Sequence, residues 1–223
     1  MNRRFLILGM AAAVLGLSSL STQAGQIPLP STFDQLLIPG NYAVVGNLVF
    51  SDFEYSVAPA GSPPGAAAVN VNPLTQFPGK EGIQFQGGFF AAAGTVVDYA
   101  ISYKVTALTG VIDSAYLSAV GGNLFGDGFF SIDEGYFALD GTDLGHNHIV
   151  LGNALSSNVS FEGQTSIIVQ KDIFLYGGSQ GVTVSLINQG YNAIPEPSAV
   201  ALMGIGLTGL LTFRRFFRRP ETV

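Results

Sequence analysis

The sequence predicts an all-β protein, an antiparallel β-sandwich of jelly-roll or immunoglobulin-like type, held between two apolar terminal segments. Three observations predict it. Val97, Tyr99, Ile101, Tyr103 and Val105 share one parity, with Asp98, Ser102, Lys104 and Thr106 on the other, the period-two pattern of a half-buried strand. Glycines, 29 among 223 residues, separate short β-branched and aromatic runs. Between the apolar termini, no stretch repeats its apolar residues with the 3.6-residue period of an amphipathic helix.

Taken in order, the chain opens with Arg3-Arg4 and an apolar run from Phe5 to Leu17, closing on Thr22-Gln23-Ala24. A basic start, an apolar centre and small residues before the cut predict a secretory signal peptide over residues 1–24. Signal peptidase is expected to cleave after Ala24. Phe5 directly follows the arginine pair, which favours general secretion over twin-arginine export. Residues 25–193 then form one extracytoplasmic domain.

Gln26 to Gly40, with three prolines, is expected to be a poorly structured lead-in. Ala43 to Val57 reads as strand, with Phe53 and Tyr55 on one face and Asp52, Glu54 and Ser56 on the other. Ala58 to Pro78 holds five prolines and is expected to be a long loop. Shorter alternations follow at Ile83–Gln86, Val111–Val120, Phe129–Leu139, His148–Leu151 and Val159–Phe161. Ser166 to Tyr176 is strongly β-branched, yet Lys171 has the parity of Ile167, Val169, Ile173 and Leu175. A bulge there, or an inward Lys171 paired with an aspartate, is expected. A glycine-rich hairpin at 177–181 leads to Val182–Ile187, which closes a domain of some nine short strands.

Composition narrows the function. Residues 25–193 carry thirteen acidic residues against Lys80, Lys104 and Lys171, a formal charge of −10. Such a body repels nucleic acid and anionic lipid. With no cysteine there are no disulfides and no thiolate chemistry.

The C-terminal segment, residues 194–223, has three parts in immediate succession. Pro195-Glu196-Pro197 displays one carboxylate on backbone that cannot start a helix. Ser198 to Phe213 is an uncharged run, roughly 24 Å long as a helix at about 1.5 Å per residue. Phe216 and Phe217 extend it toward the roughly 30 Å of a hydrocarbon core, with arginine heads snorkelling to the interface. Arg214, Arg215, Arg218 and Arg219 predict a cytoplasmic end and an exported body, so the segment is expected to be a single transmembrane helix. These residues together resemble a PEP-CTERM sorting signal, although Pro220-Glu221-Thr222-Val223 runs on past the arginines. The resemblance implies a Gram-negative, exopolysaccharide-producing host. It also implies an exosortase that reads Pro195, Glu196 and Pro197, an inner-membrane intermediate, and a destination at the cell surface or matrix. Phe50–Phe53, Val97–Thr106 and Val169–Ile173 also resemble strands of some PEP-CTERM surface proteins, which implies an extracellular β-domain and supplies no active site.

Other motifs are weaker. Gly204-x-Gly206-x-x-Gly209 lies within the apolar run, without the strand and βαβ unit that a dinucleotide site needs. Gly177-Gly178-Ser179-Gln180-Gly181 precedes a strand pattern rather than the helix of a nucleophile elbow. His146 and His148 share a strand parity, and Asp140 or Asp143 would add a ligand for zinc or calcium, although Asp-Gly is ordinary turn chemistry. No catalytic residue, metal or cofactor is assigned from this cluster. Asp127, Asp133 and Glu134 are the carboxylates from which a glycosidase pair would be drawn. The reading favoured by the sequence is a non-catalytic, exported surface or matrix protein associated with exopolysaccharide or biofilm. The alternative is a carbohydrate- or calcium-binding module, and behind it an enzyme.

Overall fold

The computed structural model describes residues 25–74, 80–122 and 126–194, which form two antiparallel sheets packed face to face. The strands are β1 (Ser31–Thr32), β2 (Tyr42–Val45), β3 (Leu48–Ala58), β4 (Asn70–Leu74), β5 (Glu81–Ala91) and β6 (Val96–Ala107). They continue with β7 (Val111–Gly122), β8 (Phe129–Ala138), β9 (Asp143–Val150), β10 (Ser156–Gln164), β11 (Ser166–Tyr176) and β12 (Val182–Ile194). One sheet has the order β1-β4-β5-β12-β7-β10 and the other β2-β3-β6-β11-β8-β9. Period-two alternation gives each long strand one face for the core and one for water.

The core is largely aromatic. Phe33, Phe50, Phe85, Phe89, Tyr99, Tyr103, Tyr136 and Tyr191 are all buried. Phe33 meets the edges of Phe53, Tyr55 and Phe85 at ring separations of 5.5–5.6 Å, while Phe53 stacks on Tyr103 at 5.3 Å. Each such side chain contributes about 1.5–3 kcal/mol through burial, with a further ~1 kcal/mol where ring geometry is favourable. This aromatic packing carries much of the two-layer fold, in a chain that has no cysteine for a disulfide.

The expected faces hold. Val97, Tyr99, Ile101, Tyr103 and Val105 are buried on β6, and Phe53 lies inside on β3. Four expectations need correction. The proline-rich lead-in is ordered, because Phe33 and Leu36 on a one-turn helix, α1 (Phe33–Leu36), plug the core. Residues 58–78 contain a 3₁₀ turn at Ala66–Ala68 and strand β4, with Val69 and Val71 buried; residues 75–79 lie outside the described chain. Residues 177–181 are no hairpin: β11 and β12 lie in opposite sheets, and the connection crosses between them. Gly178 and Gly181 take positive φ of 51° and 95° there, which glycine adopts without strain. Finally, β12 continues past Ile187 to Ile194, pairing along its length with β7. Gln189, Gly190 and Asn192 have poor strand propensity, and flanking strands on both sides override it. The terminal segments 1–24 and 195–223, including Ala24 and the sorting and arginine residues, lie outside the described chain.

Candidate functional site

The outward face of the sheet β2-β3-β6-β11-β8-β9 gathers most of the polar residues that the sequence singled out. Its register sets two rows side by side. Ser56, Ala100, Asp172, Asp133 and His148 are successive cross-strand partners, and so are Glu54, Ser102, Gln170, Gly135 and His146. All of these residues except His148 line a groove of about 690 Å³, with the small residues Ala100 and Gly135 between the longer side chains. A Cβ on Gly135 would stand 2.9 Å from the Phe137 ring and 3.2 Å from His146 Nδ1, so glycine leaves room for the His146–Phe137 edge contact. Beyond one end, Phe129, Phe174 and Tyr176 form an outward aromatic patch with rings 5.7 and 5.9 Å apart. Ser102 Oγ donates to Glu54 Oε2 at 3.0 Å, and Lys104 pairs with Asp52 at 2.6 Å.

Negative charge is concentrated at the centre. Asp98 Oδ1 is buried and accepts from no amine, amide or hydroxyl group among the described residues. Asp172, within hydrogen-bonding reach of Asp98, is pushed up to about 7 by a proton shared with that carboxyl, by partial burial and by the charges of Asp98 and Asp133. The folded state therefore holds this proton more tightly than an unfolded chain with the usual value of 3.8. Stability from this group is complete below pH 4 and is lost as pH rises through about 7. Because Asp172 is exposed, the loss is discounted to on the order of 1 kcal/mol. Asp172→Asn is expected to flatten thermal stability between pH 4 and 8; an unchanged pH profile would show that the carboxylates do not share a proton.

The histidines share this face, but each has its own partner. His146 Nε2 lies 2.8 Å from Asp143 Oδ2, and His148 Nδ1 lies 2.5 Å from Asp133 Oδ1. The His146 contact lowers the Asp143 carboxyl. Asp140 caps the β8–β9 turn, accepting from Thr142 N at 2.9 Å, which lowers its carboxyl in turn. Among the described residues no group of three or more His, Asp or Glu is arranged around a metal position. The glycosidase set does not assemble either. Asp133 faces outward, Glu134 faces the core at 1% exposure, and Asp127 sits in a turn accepting from Ser179 N at 2.7 Å. Neighbouring residues of one strand point to opposite faces, so Asp133 and Glu134 cannot flank one bond.

Sequence reading left a second polar group unassembled. Lys171 does point inward, with no bulge: β11 pairs in unbroken register with β6 and β8. Its partner is Glu134, not an aspartate. Lys171 Nζ donates to Glu134 Oε2 and, across the sandwich, to Gln189 Oε1 at 2.9 Å. Gln189 Nε2 donates to the Tyr136 hydroxyl at 3.1 Å, as does Asn147 Nδ2 at 2.8 Å, and Asn147 Oδ1 accepts from Ser157. Burial pushes the Glu134 carboxyl up, against the pull of the Lys171 charge; it pushes the Lys171 amine down, against Glu134. Glu134 Oε1 is buried without a hydrogen-bond partner among the described residues. Only the parity of Lys171 signalled this network in the sequence.

Comparison with known proteins places the terminal signal. Residues 193–219 match the PEP-CTERM protein-sorting motif, which spans Pro195-Glu196-Pro197 and all four C-terminal arginines and implies exosortase as processing partner. No curated protein matches the chain in sequence. Among solved structures, the chain is similar to TmCBM61 in complex with β-1,4-galactotriose, at 11% identity and a TM-score of 0.33, covering 62% of this chain and 88% of that one. It is also similar to the enzymatically active domain of bacteriophage CBA120 tailspike protein 4, at 12% identity and a TM-score of 0.27, over 65% of this chain and 20% of that one. A DUF4465 family protein from Bacteroides caccae gives 10% identity and a TM-score of 0.23, over 60% of this chain and 92% of that one. At these scores the likenesses carry no argument about ligand or reaction.

Proposed function

We propose that this protein is an exported, non-catalytic surface or extracellular-matrix protein, delivered through its C-terminal signal and associated there with exopolysaccharide. The observation that carries this reading is the sorting motif at residues 193–219, joined to the sandwich without a linker. Strand β12 is still paired at Ile194, opposite Val111, and Pro195 follows at once. In sequence, Glu196 comes two residues after Ile194, the last paired residue of that strand. An exosortase reading that carboxylate works close against the end of the sandwich. The body is cargo, and its outward groove is the surface we assign to the matrix. Its carboxylates, amide and hydroxyls fit a hydroxyl-rich ligand, and Phe129, Phe174 and Tyr176 offer apolar ring faces beside it.

Glu196→Ala tests the reading in a host that contains the processing enzyme. With an epitope in the Pro59–Pro64 loop, wild type is expected in the surface and polysaccharide fractions with its tail removed. The variant is expected to accumulate unprocessed in the inner membrane with its body outside. Removing Arg214, Arg215, Arg218 and Arg219 should instead disturb retention and topology. Equal tail removal in wild type and Glu196→Ala would reduce the signal to a plain anchor.

A further inference from the structure

We propose that Lys171 and Gln189 react to form an intramolecular isopeptide bond that joins the two sheets, with Glu134 as the acid–base group. Lys171 lies on β11 of one sheet and Gln189 on β12 of the other, and both are buried, at 2% and 0% exposure. Nζ hydrogen-bonds the Gln189 carbonyl oxygen at 2.9 Å, so the amide carbon is one bond beyond a contact already made. Glu134, at 1% exposure, is the cross-strand partner of Lys171 and bonds the same nitrogen.

The chemistry requires a neutral amine, an acid beside the carbonyl and a water-free site. Burial drives Lys171 toward the amine and Glu134 toward the acid, so proton transfer inside the pair yields both reactants at once. The Nζ lone pair then attacks Gln189 Cδ. The Nζ–Cδ bond forms, the Cδ–Nε2 bond breaks, and Nε2 leaves as ammonia, carrying the proton that Nζ gives up through Glu134. Glu134 ends protonated, as it began the step, and no oxidant or reductant is needed. Tyr136, whose hydroxyl accepts from Nε2 at 3.1 Å, stands where the leaving nitrogen collects its proton. Asn147 is the other buried amide nearby, but its carbonyl oxygen is taken by Ser157 Oγ at 2.9 Å. Gln189 is therefore the electrophile. A chain without cysteine would gain in this way the covalent staple that exported proteins commonly obtain from disulfides.

The test is peptide mass spectrometry of the full-length protein, denatured and digested with chymotrypsin, which cuts at Phe174, Leu175 or Tyr176 between the two residues. Wild type is expected to give one linked pair, with the peptide of Lys171 joined to that of Gln189 and lighter than their sum by one ammonia. Glu134→Gln, which keeps the side-chain size and a hydrogen-bonding end, should lose the linked pair and return both peptides at full mass. Separate, unmodified peptides from the folded wild type would overturn the proposal, and this result does not depend on any variant folding. A linked pair persisting in Glu134→Gln would overturn the role of Glu134.

Discussion

Glu134→Ala is expected to lower stability by about 3–5 kcal/mol, read as a large loss in thermal or denaturant midpoint. In the unlinked chain its carboxylate is the main counter-charge to Lys171, whose amine is sealed between the sheets. Truncation leaves an ammonium with only the Gln189 carbonyl as partner, and removes the group that would take its proton. The neighbouring substitution is the control. Asp133→Ala alters an outward carboxylate beside His148 and is expected to move stability by no more than about 0.5 kcal/mol. Equal effects at the two positions would mean that β8 is turned over and the core assigned to the wrong face.

Tyr103→Asp is expected to abolish or nearly abolish folding, at more than about 4 kcal/mol. Tyr103 is 1% exposed, stacks on Phe53, and shares a 2.8 Å hydrogen bond with Tyr191. An aspartate there leaves a cavity, strands the Tyr191 hydroxyl and places a second carboxylate in the low-dielectric space around Glu134. Burial already raises the Tyr103 phenol, and the Glu134 charge raises it further. Ser102→Asp, one residue earlier, faces water and gives up only the hydroxyl bond to Glu54. Its cost is expected below about 1 kcal/mol, mostly from repulsion by Glu54. Thermal melts of the two variants compare the faces of β6 directly; coincident melts would refute the alternation.

By itself the sequence determined what depends on local order along the chain. Side-chain parity is fixed by the pleat, so Val97 to Val105 could be assigned to the core, and the class to all-β, without any partner strand. The sorting signal was legible for the same reason. Its information lies in consecutive residues, two prolines around a glutamate, an apolar run and arginines, and needs no tertiary fold to be read. The parity of Lys171 likewise marked an irregularity, leaving open a bulge or an inward charge.

Tertiary structure alone decided what that charge meets. Glu134 and Gln189 are 37 and 18 residues from Lys171 and reach it from a neighbouring strand and from the opposite sheet. No spacing rule encodes those pairings, because register and sheet order are set by long-range packing. The same packing ordered Phe33 in a proline-rich lead-in and carried β12 through Gln189 and Gly190 despite weak propensity. The pleat already puts Asp133 and Glu134, neighbours in the chain, on opposite faces; packing decided which of the two faces the core. One is left to water and the groove, while the other is committed to a buried lysine, because a strand cannot point two successive side chains the same way.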